Sequence, residues 1–161
     1  MPAVSQLGSL PELGRVRVPP EWLDMNGHVN VQHYLGMYNL TSDALLELLG
    51  ISADWVRRER LGLVDLEHHI WFDRELHVGE EVALYIRFIG RDAKRVHGLM
   101  FMLNVADAEI ASVIEFISLA VNLETRRAAP LPPAVAERID QLTRDHEALA
   151  WPAPRSGAIS L

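Results

Sequence analysis

A short polar segment at residues 23–30, followed at once by a long segment of helical periodicity, constrains this chain more than any other feature. The polar segment carries a carboxylate at Asp24, a carboxamide at Asn26 and an imidazole at His28. Apolar residues then recur at helical spacing over residues 31–49. The pattern predicts a polar loop that leads directly into the N-terminus of one long helix.

Both ends of that helix carry the residues expected of caps. Asn30 is a good N-cap residue, and Gly50 suits the position just past the C-terminus. At about 1.5 Å per residue the helix would span nearly 30 Å. Residues 51–60 predict a further short helix.

The rest of the chain has mainly the character of β-strands. Strand patterns occupy residues 15–18, 62–76, 82–90, 95–105 and 110–123, and residues 134–149 predict a terminal amphipathic helix. One helix followed by a run of strands indicates the α+β class, with an antiparallel sheet and the last four strands in a meander. Because one helix cannot cover both faces of a long sheet, we expect an oligomer.

Length and composition limit the number of domains, the cellular location and the kinds of partner that can be expected. We expect a single domain over residues 1–161, with a core at about 14–125 and a C-terminal helix and tail at about 132–161. There is no cysteine, no secretory pattern and no apolar run long enough for a membrane span, so a cytoplasmic location is expected. The net charge of −7 argues against nucleic-acid binding.

The residue types of the polar segment suit the hydrolysis of an activated acyl group. Such a reaction needs a base, a group that positions water or the carbonyl, and a helix N-terminus that stabilises negative charge. The same residues are compatible with an Asx-turn, a capping Asn30 and a histidine without a chemical role. No tight spacing of His, Asp or Glu indicates a metal site, and no cofactor is expected.

The segment Leu-Asp-Met-Asn-Gly-His-Val-Asn at 23–30, leading into a helix through Tyr34, resembles the hotdog-fold thioesterases. It is similar to the Leu-Asp-x-Asn-x-His-Val-Asn motif of plant acyl-carrier-protein thioesterases, and the 4-hydroxybenzoyl-CoA thioesterase-like group has an aspartate at the same place. Segments 20–22, 66–70, 92–97 and 127–133 look like the thioesterase domain found with bacterial L-carnitine dehydrogenase. The likeness covers roughly residues 14–140.

This resemblance implies an antiparallel sheet wrapped around a long central helix, and an acyl-CoA thioesterase that is a homodimer or a dimer of dimers. It implies that Asp24 acts as a base on water or as a nucleophile. Asn26 would orient water or the carbonyl, and His28 would polarise the carbonyl or carry a proton. Betainyl-CoA or another short-chain acyl-CoA, with a link to carnitine metabolism, is the first substrate expectation. A medium-chain or aromatic acyl-CoA is the second.

Further candidate residues lie on the predicted strands and the long helix. Strand alternation places Glu67 and His69 on one face, where they either face the acyl pocket of the same or a partner subunit or form part of a half-buried strand. Tyr34 and Trp71 belong to a group of aromatics that either pack in the core or bind a quaternary ammonium group, with Glu115 as a possible counter-charge.

The basic residues Arg91, Lys94 and Arg95 cluster between two predicted strands. Arginine suits phosphate oxygens, so one interpretation is a contact with the phosphates of CoA. The other is a solvated hairpin end.

Two further function classes compete with hydrolysis. R-specific hotdog hydratases carry Asp-x-Asn-Pro-x-His, whereas here Asp24 and His28 are four positions apart and Gly27 stands in place of the proline. This departure counts against hydration. A non-catalytic hotdog ligand-binding domain would tolerate the loss of Asp24.

Overall fold

One antiparallel sheet and the helices packed against it form the computed structural model, which describes all 161 residues. The strands are β1 Glu12–Arg17, β2 Leu61–Phe72, β3 Glu81–Arg91, β4 Arg95–Asn104, β5 Glu109–Asn122 and β6 Arg127–Ala128. The helices are α1 Val4–Leu7, α2 Gln32–Leu40, α3 Ser42–Leu48, α4 Ala53–Glu59 and α5 Pro133–Glu147, with a single 3₁₀ turn at Pro20–Trp22. The predicted α+β class is confirmed. None of the helices is long and apolar enough to cross a bilayer.

The order of strands in the sheet is β1-β3-β4-β5-β2, with the short β6 paired to β5. The predicted meander is correct for β3, β4 and β5 but wrong for β2, which pairs with β5 and not with its neighbour in sequence. The connection after β2 runs over residues 73–80 instead of closing a tight hairpin. It buries Leu76 completely, and the Leu76 carbonyl accepts a hydrogen bond from the Val29 N–H. This hydrogen bond fixes the connection as the chain passes from β2, at one edge of the sheet, to β3, next to the strand at the other edge.

The helix predicted over residues 31–49 consists of two segments, because α2 ends at Leu40 and α3 begins at Ser42. Thr41 lies between them with φ −99° and ψ 4°, and its hydroxyl donates to the Tyr38 carbonyl at 3.0 Å. A threonine hydroxyl that bonds to the preceding turn competes with the helix and bends it. Spacing alone did not reveal this break.

The two predicted caps are confirmed. The Asn30 side chain accepts the Gln32 N–H at 3.1 Å. Gly50 has φ 77° and donates to the Glu47 carbonyl, while the next N–H donates to Leu46. These paired bonds form the turn that commonly ends a helix when a residue without a Cβ occupies the left-handed region. The short helix predicted after it is also present, as α4.

The sheet has an inner face, which packs on α2, α3 and α5, and an outer face, which α1 and the C-terminal tail cover. The inner face contributes to a cluster of 25 buried residues that includes Met37, Ile86, Met100 and Ile114. The outer face contributes to a smaller cluster of ten, centred on Phe101 and Trp151. Alternation along each strand therefore decides whether a side chain can approach the loop that precedes α2.

A buried polar pair on the outer face holds the C-terminal tail in place. Glu115 is fully buried, and its carboxylate lies 2.8 Å from His97 Nε2 and accepts the Ser156 N–H at 2.8 Å. Burial raises the pKa of Glu115, but the contacts with Ser156 and His97 outweigh it and hold the pKa below its usual range. Glu115 is therefore committed to this pair on the face opposite α2, so the expectation that it supplies a counter-charge in the acyl site is wrong.

Candidate active site

The polar segment forms a tight loop whose two ends are fixed. Leu23 and Val29 form an isolated antiparallel bridge, and the Asp24 N–H donates to the His28 carbonyl at 3.1 Å. Gly27 turns the chain with φ 85°, a conformation that side chains with a Cβ rarely adopt. The loop therefore presents its alternating polar side chains in a defined arrangement.

Asp24 is the organising residue of this loop. Its Oδ1 accepts the Asn26 N–H at 2.8 Å, which is an Asx-turn, and its Oδ2 lies 3.4 Å from the Asn26 amide nitrogen. His28 Nδ1 lies 3.8 Å from Asp24 Oδ1 and 3.3 Å from the Val29 carbonyl. The structure thus brings the three predicted catalytic residues together, and the Asx-turn holds the carboxylate in place.

The N-terminus of α2 supplies a free donor beside this carboxylate. The Asn30 side chain and carbonyl take the N–H groups of Gln32 and His33, but the Val31 N–H has no acceptor within the chain. The first N–H groups of a helix are unpaired within the helix and carry partial positive charge. A developing oxyanion could therefore be stabilised at Val31.

An open cleft with a volume of about 330 Å³ joins these groups. Its walls come from the loop and the start of α2 on one side and from the end of β2 and the following connection on the other. The lining residues are Asp24, His28, Val29, Asn30, Val31, Tyr34, Phe72, Asp73, Arg74 and Glu75. Asn26 is exposed and is not part of the lining, but its N–H donates to the Asp24 carboxylate that is. The cleft is large enough for a short acyl group and the thioester to which it is attached.

Tyr34 is the predicted binding residue that the structure places in this cleft. Its ring packs edge-on against Phe72, with the ring centroids 5.0 Å apart. Phe72 belongs to the aromatics that the sequence offered either for the core or for a quaternary ammonium group, and the structure places it in the cleft wall. Residues 73–75 of the same wall were missed, because only the fold brings them near Asp24 and nothing local in the sequence marks them.

Glu67, His69 and Trp71 share one face of β2, as alternation predicts, but that face is the outer one. They alternate with Ile70 and Phe72, which point to the helix side, and the His69 and Trp71 rings lie 4.4 Å apart. Within one subunit none of the three lines the cleft at Asp24. A role in a partner's acyl pocket stays a prediction.

The three basic residues predicted to hold phosphates differ in their surroundings. Arg91 forms a bidentate pair with Asp140 at 2.8 and 2.6 Å, and Arg95 pairs with Asp92 at 2.7 Å. The Lys94 backbone N–H donates to Asp92, but its side-chain ammonium forms no ion pair with a carboxylate within 4 Å. Their contact with CoA stays a prediction, with Lys94 the one cation of the three that is not already paired. No group of three or more His, Asp or Glu side chains converges in a way that could hold a metal ion.

Comparisons with known proteins match most of the chain. Residues 18–139 match the model of the thioesterase-like superfamily. The betainyl-CoA thioesterase of Pseudomonas aeruginosa is 30% identical over 135 residues, which cover 84% of this chain and 85% of that protein. The L-carnitine dehydrogenase/betainyl-CoA thioesterase of a Rhizobium species is also 30% identical, over 84% of this chain but only 27% of its own length. This chain therefore corresponds to about a quarter of that fused relative.

Solved structures show the same fold. A hypothetical protein of Staphylococcus aureus in complex with CoA superposes with a TM-score of 0.81 at 21% identity, covering 94% of this chain and 96% of that chain. A thioesterase of Pseudomonas putida, described as putative, superposes with a TM-score of 0.76 at 26% identity over the same shares. The expected hotdog arrangement is thereby confirmed.

Proposed function

Because the chain belongs to the thioesterase-like superfamily, we propose that it hydrolyses an acyl-CoA thioester to the free acid and CoA. The observation that carries the proposal is a single cleft that contains a half-buried carboxylate, an imidazole and an unpaired helix N-terminal N–H. This is the set of groups that the hydrolysis of a thioester requires.

Each group has a distinct task in the proposed reaction. The Asp24 carboxylate either attacks the thioester carbonyl or takes a proton from an attacking water, and the Asx-turn with Asn26 holds it in one orientation. The Val31 N–H donates to the oxygen of the carbonyl as negative charge develops there. His28, beside Asp24, moves a proton to or from the reacting groups.

A panel of acyl-CoA substrates, assayed by the release of free thiol, tests this function. The panel contains betainyl-CoA, acetyl-CoA, an octanoyl and a benzoyl ester, so that the short, medium-chain and aromatic alternatives are compared directly. We expect turnover of at least one short acyl group, and betainyl-CoA is the first choice because the curated relatives are named for it. Binding of all four esters without thiol release would favour a non-catalytic ligand-binding domain instead.

We also propose that two copies pair through β2. This 12-residue strand lies at the edge of the sheet and pairs only with β5. Edge strands of this length are normally covered. Large apolar side chains beside it are exposed, including Leu66 at 55%, Phe72 at 50% and Val31 at 61%. A dimer would bury them and place a second subunit beside the cleft.

Light scattering on the eluting peak of a size-exclusion column checks the pairing. The expected mass is twice 18.1 kDa, or four times for a dimer of dimers. Leu66→Lys places a charge on the proposed contact and should shift the mass toward that of one chain. Leu35→Lys places the same charge on α2, outside the strand, and serves as the control. A wild-type protein of 18.1 kDa would contradict the proposal. Because the proposed substrates are CoA thioesters, which are made inside cells, we also propose a cytoplasmic location.

A further inference from the structure

A cavity of about 380 Å³ lies where the end of α5 and the C-terminal tail meet the outer side of β3. It shares no lining residue with the cleft at Asp24, and the proposed hydrolysis does not use it. Its charged lining residues are two arginines, Arg87 and Arg155, and one carboxylate, Glu147. In a chain whose net charge is −7, such a positively charged lining favours a negatively charged ligand.

Arg87 is the buried cation of this cavity. Only 5% of its surface is exposed, and no carboxylate lies within 4 Å of it. Its guanidinium donates to the carbonyls of His146 and Trp151, and its remaining N–H groups have no acceptor within the chain. The His146 carbonyl belongs to the last turn of α5, where the helix dipole is negative. The end of α5 therefore stabilises one positive charge at this place.

Arg155 brings a second positive charge to the same cavity. Its side chain forms no ion pair within the chain, and Glu147 lies more than 4 Å from both guanidinium groups. Burial lowers the pKa of Arg87, and the charge of Arg155 lowers it further. Like charges repel more strongly where water has limited access. The end of α5 thus compensates one cation, whereas the cavity holds two.

The neutral polar groups of the lining add donors and not acceptors. His146 Nδ1 accepts the Phe88 N–H at 2.9 Å, and burial together with Arg87 lowers the pKa of His146, so the ring is neutral at pH 7. Its proton is then on Nε2, which makes no hydrogen bond within the chain. The Trp151 Nε1–H is buried and also has no acceptor. Buried donors without a partner are rare, and an ion absent from the chain is one common reason for them.

An oxyanion would satisfy these groups together. Guanidinium groups form short charge-assisted hydrogen bonds with phosphate and carboxylate oxygens. A phosphate group carries about 1.5–2 negative charges at pH 7, which matches two arginines better than the single charge of a carboxylate. We propose that this cavity binds a phosphate group, either as inorganic phosphate or on a small phosphorylated molecule, between Arg87 and Arg155.

The bound phosphate would connect three parts of the chain. Arg87 belongs to β3, His146 to α5 and Arg155 to the tail, and the anion would cancel the repulsion that separates the two arginines. The site lies on the outer side of the sheet, so its occupation should change stability and leave the chemistry at Asp24 unaffected. The inference therefore goes beyond the proposed hydrolysis and does not depend on it.

Melting temperatures of the full chain, measured by calorimetry in phosphate and in chloride of equal ionic strength, test the site. A dissociation constant of about 0.1 mM should raise the melting temperature by about 5 °C in about 10 mM phosphate. Titration with phosphate, followed by tryptophan fluorescence, should give a saturable change, because the Trp151 ring stacks on Arg87 at 4.0 Å. Glycerol 3-phosphate and AMP are tested in the same way. Tighter binding of either one than of inorganic phosphate identifies a phosphorylated molecule as the ligand, and the reverse order identifies the free anion.

Arg155→Gln removes one of the two cations without disturbing the hydrogen bonds of Arg87. Because Arg155 is exposed and unpaired, the variant should melt in chloride at or above the temperature of the wild type. Its rise in phosphate should fall to less than about a third of the wild-type rise. Arg144→Gln is the matched control, because it removes an equal charge from the exposed side of α5, outside the cavity. It should keep the full rise.

Two results would overturn the site. The first is a wild-type melting temperature that is the same in phosphate and in chloride, with no saturable change in fluorescence. The second is an equal rise in the wild type and both variants, because exclusion of phosphate from the protein surface stabilises any folded chain and does not require a site. Neither measurement uses an acyl-CoA, so a failure of the proposed hydrolysis would leave the result as it stands.

Discussion

Asp24→Asn is expected to lower kcat for thioester hydrolysis at least about 100-fold, because the variant has no carboxylate that could act as base or nucleophile. The fold of the loop should survive the change. The asparagine side-chain oxygen can still accept the Asn26 N–H that Asp24 accepts at 2.8 Å, so the Asx-turn is retained. Thiol release under saturating substrate measures the loss, and thermal denaturation verifies that the melting temperature stays close to that of the wild type.

Glu75→Gln is the matched control for this experiment. Glu75 also lines the cleft and is exposed, and no lysine or arginine lies within 4 Å of its carboxylate, which is 3.9 Å from His77 Nε2. Removing its charge changes the electrostatic field of the cleft without removing a group from the reacting centre, so kcat should stay within about threefold of wild type. A normal rate for Asp24→Asn would exclude Asp24 from both chemical roles. Equal losses in both variants would mean that only the summed negative charge matters.

The parts of the site that could be predicted from the sequence are those that are local in the chain. Asn26 and His28 each lie against Asp24 within five residues of chain, and Asn30 caps a helix that begins two residues later. Turn and cap chemistry depends on such short separations, so pattern and geometry agree.

The parts that could not be predicted depend on the register of distant strands. Alternation shows that Glu67 and His69 share a face of β2, but only the pairing with β5 decides that this face is the outer one. Asp65 accepts hydrogen bonds from the hydroxyls of Tyr38 and Ser118, which are 27 and 53 positions away in the chain. No local pattern distinguishes that aspartate from an ordinary exposed strand residue.

Besides Glu115, the outer face contains a buried arginine whose stabilising contacts are also distant in sequence. Arg87 lies in the middle of β3 with 5% of its surface exposed, and no carboxylate lies within 4 Å. Its guanidinium donates to the His146 carbonyl at 2.9 Å and the Trp151 carbonyl at 3.1 Å, and it stacks on the Trp151 ring at 4.0 Å. The first of these carbonyls belongs to the last turn of α5, where the helix dipole is negative and favours a cation.

Arg87→Met is expected to lower the free energy of unfolding by about 3 kcal/mol, since it leaves two buried carbonyls without a donor at roughly 1–3 kcal/mol each and retains most of the packing. For a chain of this size that loss corresponds to a fall in melting temperature of about 6–12 °C, measured by calorimetry. Arg58→Met serves as the control, because the Arg58 side chain is 67% exposed and should leave the melting temperature unchanged.

The same variant separates the structural role of the tail from catalysis. Because Arg87 faces away from the cleft, kcat measured well below the melting transition should stay within about twofold of wild type. A protein that keeps its melting temperature without Arg87 would show that the tail is not anchored through this guanidinium. A stable variant with a strongly reduced kcat would instead mean that the packing of the outer face is coupled to the geometry of the site at Asp24.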